Sequence, residues 1–130
     1  MSAIYRERET GRPDFEATVP ARRPTSRMAG IFDNTAGYSS GIALVNPNSV
    51  AIRLGVILRN TNGIALRTAA FNLGPMAHTS FFINQMWPET ANVAGRIVIE
   101  AVEVATGNEA TFVPLGLRFA PGGAFTTLTY

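Results

Sequence analysis

The chain lacks several residue types on which small proteins and enzymes often depend. None of its 130 residues is cysteine, which excludes disulfide scaffolds, thiolate zinc sites and thiol nucleophiles. There is one histidine, too few for a histidine-rich metal site, and every basic residue is an arginine. No apolar run approaches the roughly 20 residues of a membrane-spanning helix. We therefore expect no cofactor, no metal ion and no membrane span.

Charge is scarce and nearly balanced, with 15% charged residues and a net charge of +2. All of the imbalance lies in the first 30 residues, where arginines largely alternate with acids, as in the segment RERE at 6–9. A nucleic-acid-binding face needs clustered positive charge, so this pattern argues against nucleic acid and favours a solvated strand or arm.

The hydrophobic content of 46% is sufficient for one packed core, and the length suits one domain of about 100–150 residues. Residues 1–29 are predicted to form an extended arm or β-hairpin plus a linker, because two short extended runs flank turn-forming residues at 10–14. Residues 30–130 are predicted to form the folded domain.

From residue 30 onward the pattern is that of β-strands. Alternate positions are apolar at Val50, Ile52, Leu54, Val56 and Leu58, which predicts a half-buried strand. Asn62-Gly63 follows and predicts a hairpin with a type I′ turn. The return strand changes parity, and a bulge near residues 67–69 would reconcile its two halves.

Further strands are predicted at 41–46, 96–104, 110–119 and 125–128. The first is apolar on both parities, as expected of a strand covered on both faces. The second and third flank a hairpin turn at 106–108, and the third places Val113, Leu115, Leu117 and Phe119 on one face. One short helix is expected near 80–87, capped by Thr79 or Ser80 and ended by Pro88.

About seven strands with one short helix predict an all-β, immunoglobulin-like two-sheet β-sandwich. Leu54, Val56, Leu115 and Leu117 are its predicted core residues.

The sequence shows no catalytic constellation. His78 is the only candidate general base, and no Gly-x-Ser-x-Gly elbow accompanies it. Glu100 and Glu103 are oddly spaced on strand-like sequence, so they point to opposite faces and cannot flank one cleft. Asp33-Asn34-Thr35 favours an Asx-type turn over a calcium site. The protein is therefore predicted not to be an enzyme, with a hydrolase centred on His78 as the weakest alternative.

Two other uses of the chain stay open. Tyr38 and Trp87 are candidate ligand contacts for a carbohydrate- or surface-binding module. The N-terminal arm could pair with its own sheet or add a strand to a neighbour's sheet, building an oligomer or filament. The candidate residues of this arm are Ile4, Tyr5, Arg6, Arg8, Phe15 and Val19.

Four segments carry a resemblance to a known kind of module: FDNTAGYSSGIALVNP at 32–47, AHTSFF at 77–82, LGLRF at 115–119 and GAFTTL at 123–128. In this order they resemble a repeat module of large secreted or surface proteins of soil-type bacteria, and RPDFEATVP at 12–20 is similar to its entry segment. The resemblance implies an extracellular β-sandwich without assigned enzyme activity, and it transfers no catalytic residue.

The N-terminus shows no signal-peptide pattern, because no apolar segment follows Met1. By itself, the missing pattern is compatible with a cytoplasmic protein and with an internal piece of a longer secreted chain. The main hypothesis is a non-enzymatic structural or interaction module, located at the cell surface or outside the cell and acting in adhesion or self-assembly. Its expected partner is protein, including a second copy, with carbohydrate as the alternative.

Overall fold

The computed structural model describes residues 2–7, 15–20, 23–120 and 125–128. The strands in these residues are β1 Ser2–Glu7, β2 Phe15–Pro20, β3 Arg27–Asp33, β4 Ser39–Val45, β5 Ile52–Asn60, β6 Ala65–Leu73, β7 His78–Phe82, β8 Ala94–Glu103, β9 Val113–Phe119 and β10 Phe125–Leu128. A single-turn helix, α1, spans Ile83–Met86, and a 3₁₀ turn at Pro88–Thr90 follows it. No helix in this part of the chain is long and apolar enough to cross a membrane.

Eight strands form two antiparallel four-stranded sheets. The first sheet has the order β3-β8-β5-β6, and the second sheet has the order β10-β9-β4-β7. Their inner faces share one hydrophobic core, whose fully buried members include Phe32, Ile42, Leu54 and Ile99. The predicted all-β, two-sheet sandwich is thereby confirmed.

The central strand pairs match those of an immunoglobulin sandwich. Numbering the sandwich strands from β3, the pairs β4–β7 and β5–β8 correspond to the B–E and C–F pairs. The flanking strands are placed differently, because β3 lies beside β8, β6 lies beside β5 and β9 lies beside β4. The first, fourth and seventh strands of the sandwich therefore lie in the opposite sheets from their immunoglobulin counterparts.

Strand β5 confirms the alternating pattern of the sequence. Ile52, Leu54, Val56 and Leu58 are at most 1% exposed, because successive side chains of a strand point to opposite faces. Val50 lies outside the strand and is exposed. The strand thus supplies a continuous row of side chains to the core.

The turn after β5 connects a hairpin, as predicted, but it is not of type I′. The loop has three residues, because Gly63 N donates to Asn60 O and Asn60 N donates to Ile64 O. Only Gly63 has a positive φ in this loop, and the Asn60 carboxamide accepts from the N–H groups of Asn62 and Ile64. This is a three-residue loop with glycine in the left-handed region, which the Asn60 side chain stabilises locally.

The register of β5 and β6 shifts by one residue, as the change of parity of the apolar residues in β6 predicted. Leu58 lies opposite Arg67 and Arg59 lies opposite Ala65, so Leu66 is the additional residue. The bulge is therefore at Leu66, immediately before the predicted stretch.

The turn near Gly107 does not connect a hairpin of β8 and β9, contrary to the prediction. Gly107 has a positive φ, and a single bridge joins Val102 to Glu109. The chain then crosses to the second sheet, where β9 pairs with β4 and β10. A tight turn determines the local reversal of the chain, but it does not determine which strand the following segment pairs with.

The predicted core face of β9 points outward. Pro114, Gly116 and Arg118 lie opposite Leu44, Ile42 and Ser40, which are buried, and directly opposite residues share a face. The other parity, which includes Leu115 and Leu117, therefore forms the outer face. Leu54, Val56 and Leu117 are buried as predicted, whereas Leu115 is only half-buried. The inner parity of β9 thus contributes Pro114 and Gly116 opposite the buried side chains of Leu44 and Ile42.

The helix is present but shorter than predicted and is not capped by a hydroxyl. Thr79 and Ser80 belong to β7, and Phe82 is the N-cap without a side-chain hydrogen bond. Ile83 is fully buried, while Met86 is 46% exposed. The helix thus contributes one residue to the core in a single turn.

Strands β1 and β2 form a two-stranded antiparallel sheet of their own. Six residue pairs link them, from Ser2–Pro20 to Glu7–Phe15. Neither strand belongs to the two sheets of the sandwich. The predicted turn at 10–14 and the arm residue Arg8 lie outside the described residues.

Candidate functional site

The segment 33–40, which opens the longest motif, forms a compact loop between β3 and β4. The main-chain N–H of Thr35 donates to Asp33 Oδ1 at 2.9 Å, which confirms the expected Asx-type turn. Ala36 and Gly37 follow with positive φ, and Tyr38 N donates to Thr35 O. The loop is thus closed by its own hydrogen bonds.

Asn34 fixes this loop to the rest of the fold. The side chain is 3% exposed, and its Oδ1 accepts from Ser40 N at 3.0 Å. Its Nδ2 donates to the carbonyl of Thr90, at the end of the 3₁₀ turn, at 3.0 Å. A buried carboxamide with both ends bonded is a structural tie and has little capacity left for a ligand.

Asp33 forms the charged centre of the loop. Its Oδ2 accepts from a guanidinium nitrogen of Arg118 on β9 at 3.2 Å, and its Oδ1 accepts from the Thr35 hydroxyl. The hydrogen bonds from the Thr35 hydroxyl and N–H lower the pKa of Asp33, and Arg118 adds a smaller contribution against the opposing effect of burial. The carboxylate therefore stays ionised and joins β3 to β9.

Tyr38, a predicted ligand contact, lies against the same arginine. The guanidinium carbon of Arg118 is 4.0 Å from the centroid of the Tyr38 ring, a cation–π contact. The Nε of Arg118 is buried and has no hydrogen-bond partner among the described residues. One face of the half-buried ring is therefore covered within the fold.

Trp87, the other predicted ligand contact, is a core residue. It is 3% exposed and makes an edge-to-face contact with Phe81 at 5.4 Å between ring centroids. Its main-chain carbonyl accepts the hydroxyl of Thr90 at 2.7 Å. The structure places Tyr38 and Trp87 in separate environments, and Trp87 has no ring face open to a sugar.

His78 begins β7 opposite Val45 and is exposed. Within the described part of the chain its imidazole has no hydrogen-bonded acid or hydroxyl, although a hydrolase would need both. Across the same ranges no group of three His, Cys, Asp or Glu residues could hold a metal ion. Glu100 lies on the outer face of the first sheet and accepts from Arg27 Nε at 3.1 Å.

Asn46, at the end of β4, ties together one end of the sandwich. It is fully buried, and its Nδ2 donates to the carbonyls of Val50, Leu73 and Gly74 at 2.8–3.1 Å. Its Oδ1 accepts from the main-chain and side-chain nitrogens of Asn48. This residue of the motif therefore performs a structural task.

The outer face of the second sheet carries paired aliphatic side chains at positions where a solvated sheet usually has polar residues. Val45 lies opposite Val113, and Ala43 lies opposite Leu115, so four aliphatic side chains form what we call the aliphatic strip. Val45 is 39% exposed, and the other three are half-buried. The strip carries no charge and no hydrogen-bonding side chain.

A groove of about 280 Å³ lies beside the strip, above Gly41. Phe82 and Phe119 lean over this glycine and contact each other edge to face, with centroids 5.0 Å apart. A Cβ atom on Gly41 would lie 3.6 Å from the Phe119 ring and 3.8 Å from the Phe82 ring. The glycine therefore gives the groove its depth.

The sequence did not predict the strip or the role of Arg118. The signal for both was the parity of β9, where Arg118 shares a face with Pro114 and Gly116 instead of with the leucines. An arginine on the inner parity indicates an ion-pair partner on a neighbouring element, and the leucines on the other parity then indicate an outer apolar face.

Comparison of the chain with protein-family models, with curated proteins and with solved structures found no match.

Proposed function

We propose that this protein is a non-enzymatic structural and interaction module that associates with copies of itself. The observation that carries the proposal is the aliphatic strip. An antiparallel sheet that faces water on its outer side alternates apolar and polar residues. Here β4 and β9 hold aliphatic residues at paired outer positions as well as core residues on the inner side. Apolar residues at such positions support a protein contact.

The polar residues of the motif support the non-enzymatic part of the proposal. Asp33, Asn34 and Asn46 use their side-chain oxygens and nitrogens in hydrogen bonds that hold loops to strands. A catalytic group needs a free acid, base or nucleophile within reach of a substrate. These residues are already occupied by the fold.

The proposed occupant of the strip is the same strip of a second copy. Both surfaces are uncharged, so they can meet without electrostatic repulsion. Sheets pack face to face at about 10 Å, as the two layers of one sandwich do. A contact of one patch with itself has two-fold symmetry and yields a closed pair.

The N-terminal hairpin offers a second route of association. A two-stranded sheet is marginally stable by itself in water, and it gains stability from a third strand or from packing. The sandwich ends in edge strands, of which β6 is nine residues long. We propose that the hairpin adds to such an edge of a neighbouring copy, as in strand addition.

The proposed location is the cell surface or the outside of the cell, with a role in adhesion. This part is supported only by the resemblance of the motifs to modules of secreted and surface proteins. Labelling of intact cells of the natural host with a membrane-impermeant reagent tests it, and a protein labelled only after cell lysis would contradict it.

The substitution Val45→Glu tests the proposed function. Val45 is 39% exposed, so a charge there leaves the core intact but opposes burial against a second strip. We expect the self-association of the full chain, measured by sedimentation velocity over a wide range of concentration, to weaken by about tenfold or more.

Val50→Glu is the matched control, because Val50 is 42% exposed and lies in the loop before β5, outside the strip. It should leave the sedimentation profile unchanged. A wild-type chain that stays monomeric at every concentration, or equal effects of the two substitutions, contradicts the proposal. Circular dichroism spectra establish that both variants keep the β fold.

A further inference from the structure

The outer face of the first sheet concentrates positive charge. Its side chains include Arg27, Arg53, Arg59 and Arg96. Two carboxylates share the outward parity of its strands: Glu100 is paired with Arg27, and Asp33, at the end of β3, is paired with Arg118 of the second sheet. The remaining residues of the range 23–120 contain three arginines and three carboxylates. The two sheets thus differ in character, because the outer face of the first is basic and that of the second is aliphatic.

Two of these arginines lie directly opposite each other. Arg59 on β5 pairs with Arg96 on β8, which brings their Cβ atoms to about 5 Å on one face. Like charges at this separation destabilise a sheet unless an anion neutralises them. Within residues 23–120, neither guanidinium has a carboxylate partner, although Arg59 donates to Gly63 O at 3.2 Å.

The row of side chains next to this pair is apolar. Val98 and Ile57 lie opposite each other, and Ala29 continues the row on β3. Gly55 leaves a shallow depression beyond Ile57, with a volume of about 300 Å³. A complementary partner would present carboxylates beside small aliphatic side chains.

The turn 103–109 of the same chain has this chemistry. It carries Glu103 and Glu109, and Val104 between them is 49% exposed. Two main-chain hydrogen bonds fix its shape, from Glu103 N to Asn108 O at 2.8 Å and from Gly107 N to Glu103 O at 2.9 Å. A turn that is already ordered loses little conformational entropy on binding.

The turn and the arginine pair lie at opposite ends of the first sheet. Strand β5 begins at Ile52 beside Glu103 and reaches Arg59 beside Arg96. A contact between them within one chain is therefore excluded by their separation along the strand, about 23 Å for seven residues.

We propose that the acidic turn 103–109 of one copy binds the Arg59–Arg96 pair and the adjoining apolar row of the next copy. This inference rests on the proposed self-association, and it adds that copies join through two different surfaces in a head-to-tail order. The two contact surfaces are different, so the contact is heterologous, and copies can add head to tail without closing.

Charge reversal in the full chain tests this contact. One variant carries Arg59→Glu and Arg96→Glu, and the other carries Glu103→Arg and Glu109→Arg. Each variant alone sets like charges against like, so head-to-tail association should weaken by roughly tenfold or more in sedimentation velocity. In an equimolar mixture every contact joins opposite charges, and association should return to the wild-type level.

The control variant carries Arg23→Glu and Arg67→Glu, which reverses two exposed arginines outside the basic outer face. It should associate as the wild type does. Failure of the mixture to restore association, or an equal loss in the control, overturns the proposed contact. If the wild type assembles and both test variants assemble equally well, this contact fails while the proposed function stands. A wild type that never assembles overturns both.

Discussion

At the scale of single residues, the buried asparagines show how the motif specifies the fold. Asn46 satisfies three carbonyls from three positions in the chain with one amide group. Such a network is stable only while every member is bonded, because an unpaired buried polar group keeps its full desolvation cost.

Asn46→Ala should therefore destabilise the protein by about 2–4 kcal/mol, since it removes the amide and leaves buried carbonyls unpaired. Urea unfolding followed by circular dichroism measures the change. Asn62→Ala, in the exposed hairpin turn, should change the free energy of unfolding by less than about 0.5 kcal/mol. Similar losses at the two positions would show that Asn46 has no special structural role.

Asp33 gives the stability a defined pH dependence. Its pKa is lowered in the folded protein by the hydrogen bonds from Thr35 and by Arg118. The ionised carboxylate therefore favours folding above the pKa of the unfolded chain, and this contribution is lost as the pH falls through the lowered value.

Asp33→Asn should be less stable than the wild type near neutral pH, and the difference should shrink as the pH approaches about 3. Urea unfolding of both proteins across this pH range measures it. Two stability curves that run parallel over the whole range would disprove the contribution of Asp33.

Substitutions of Leu54 and Leu115 distinguish the inner face of one sheet from the outer face of the other. Leu54 is fully buried in the core, so Leu54→Ala should cost about 2–5 kcal/mol. Leu115 is half-buried in the aliphatic strip, and Leu115→Ala should cost roughly 1 kcal/mol in the monomer. The comparison requires urea unfolding at concentrations where the chain is monomeric, and equal costs would place Leu115 in the core.

At the scale of the elements, the N-terminal hairpin can be tested without shortening the chain. Ile4 lies within β1 opposite Thr18, and proline there removes an N–H and disturbs the pairing. If the hairpin adds to a neighbour's edge, Ile4→Pro should reduce self-association in sedimentation velocity while the spectrum of the sandwich persists.

Ser2→Pro is the control for this experiment, because Ser2 is the first residue of β1, a position where strands tolerate proline. Unchanged association in Ile4→Pro would show that the hairpin does not link copies. The same comparison bears on the predicted arm residues Ile4, Tyr5 and Arg6 in β1 and on Phe15 and Val19 in β2.

Strands with one solvated face were the easiest elements to predict. In β5, arginines on one parity and aliphatic residues on the other settle which side is buried. In β9 the assumption that the more apolar parity faces the core predicted the wrong face, because the parity richer in leucine and valine is the outer one. Sequence alternation identifies two faces, but only the neighbouring strands decide which of them meets the core.

The loops were predicted in part. Glycine and asparagine marked the reversals at Gly63 and Gly107 correctly, since a positive φ is a local requirement. The type of the first turn and the partner strand after the second depend on contacts far along the chain. Local chemistry therefore locates a turn more reliably than it identifies what the turn connects.

At the scale of the whole molecule, the candidate ligand contacts Tyr38 and Trp87 and the candidate base His78 did not come together. Tyr38 joins Arg118 and Asp33, Trp87 lies in the core, and His78 stands at the start of β7. Residue types alone identified candidates for chemistry but not their surroundings. The features that support a function are instead properties of sheet faces, which emerge only after the strands are paired.

The two sheet faces also differ in the assemblies that they favour. Contact through the aliphatic strip is symmetric and stops at two copies, whereas the proposed turn-to-arginine contact continues in one direction. Salt should weaken the second contact and leave the first largely unaffected, because screening acts on charge and not on apolar burial. Assemblies with both contacts would be filaments built from paired copies.

The hydrogen bonds of Asn34 and Asn46 have a consequence for the comparison of related chains. The segments that make this sequence recognisable are those that hold its scaffold together, so a shared motif predicts a shared framework and not a shared ligand. Specificity among such chains would have to be sought at the outward positions of β4, β5, β8 and β9, where substitutions leave the framework intact. Two chains with the same motif could therefore bind unrelated partners.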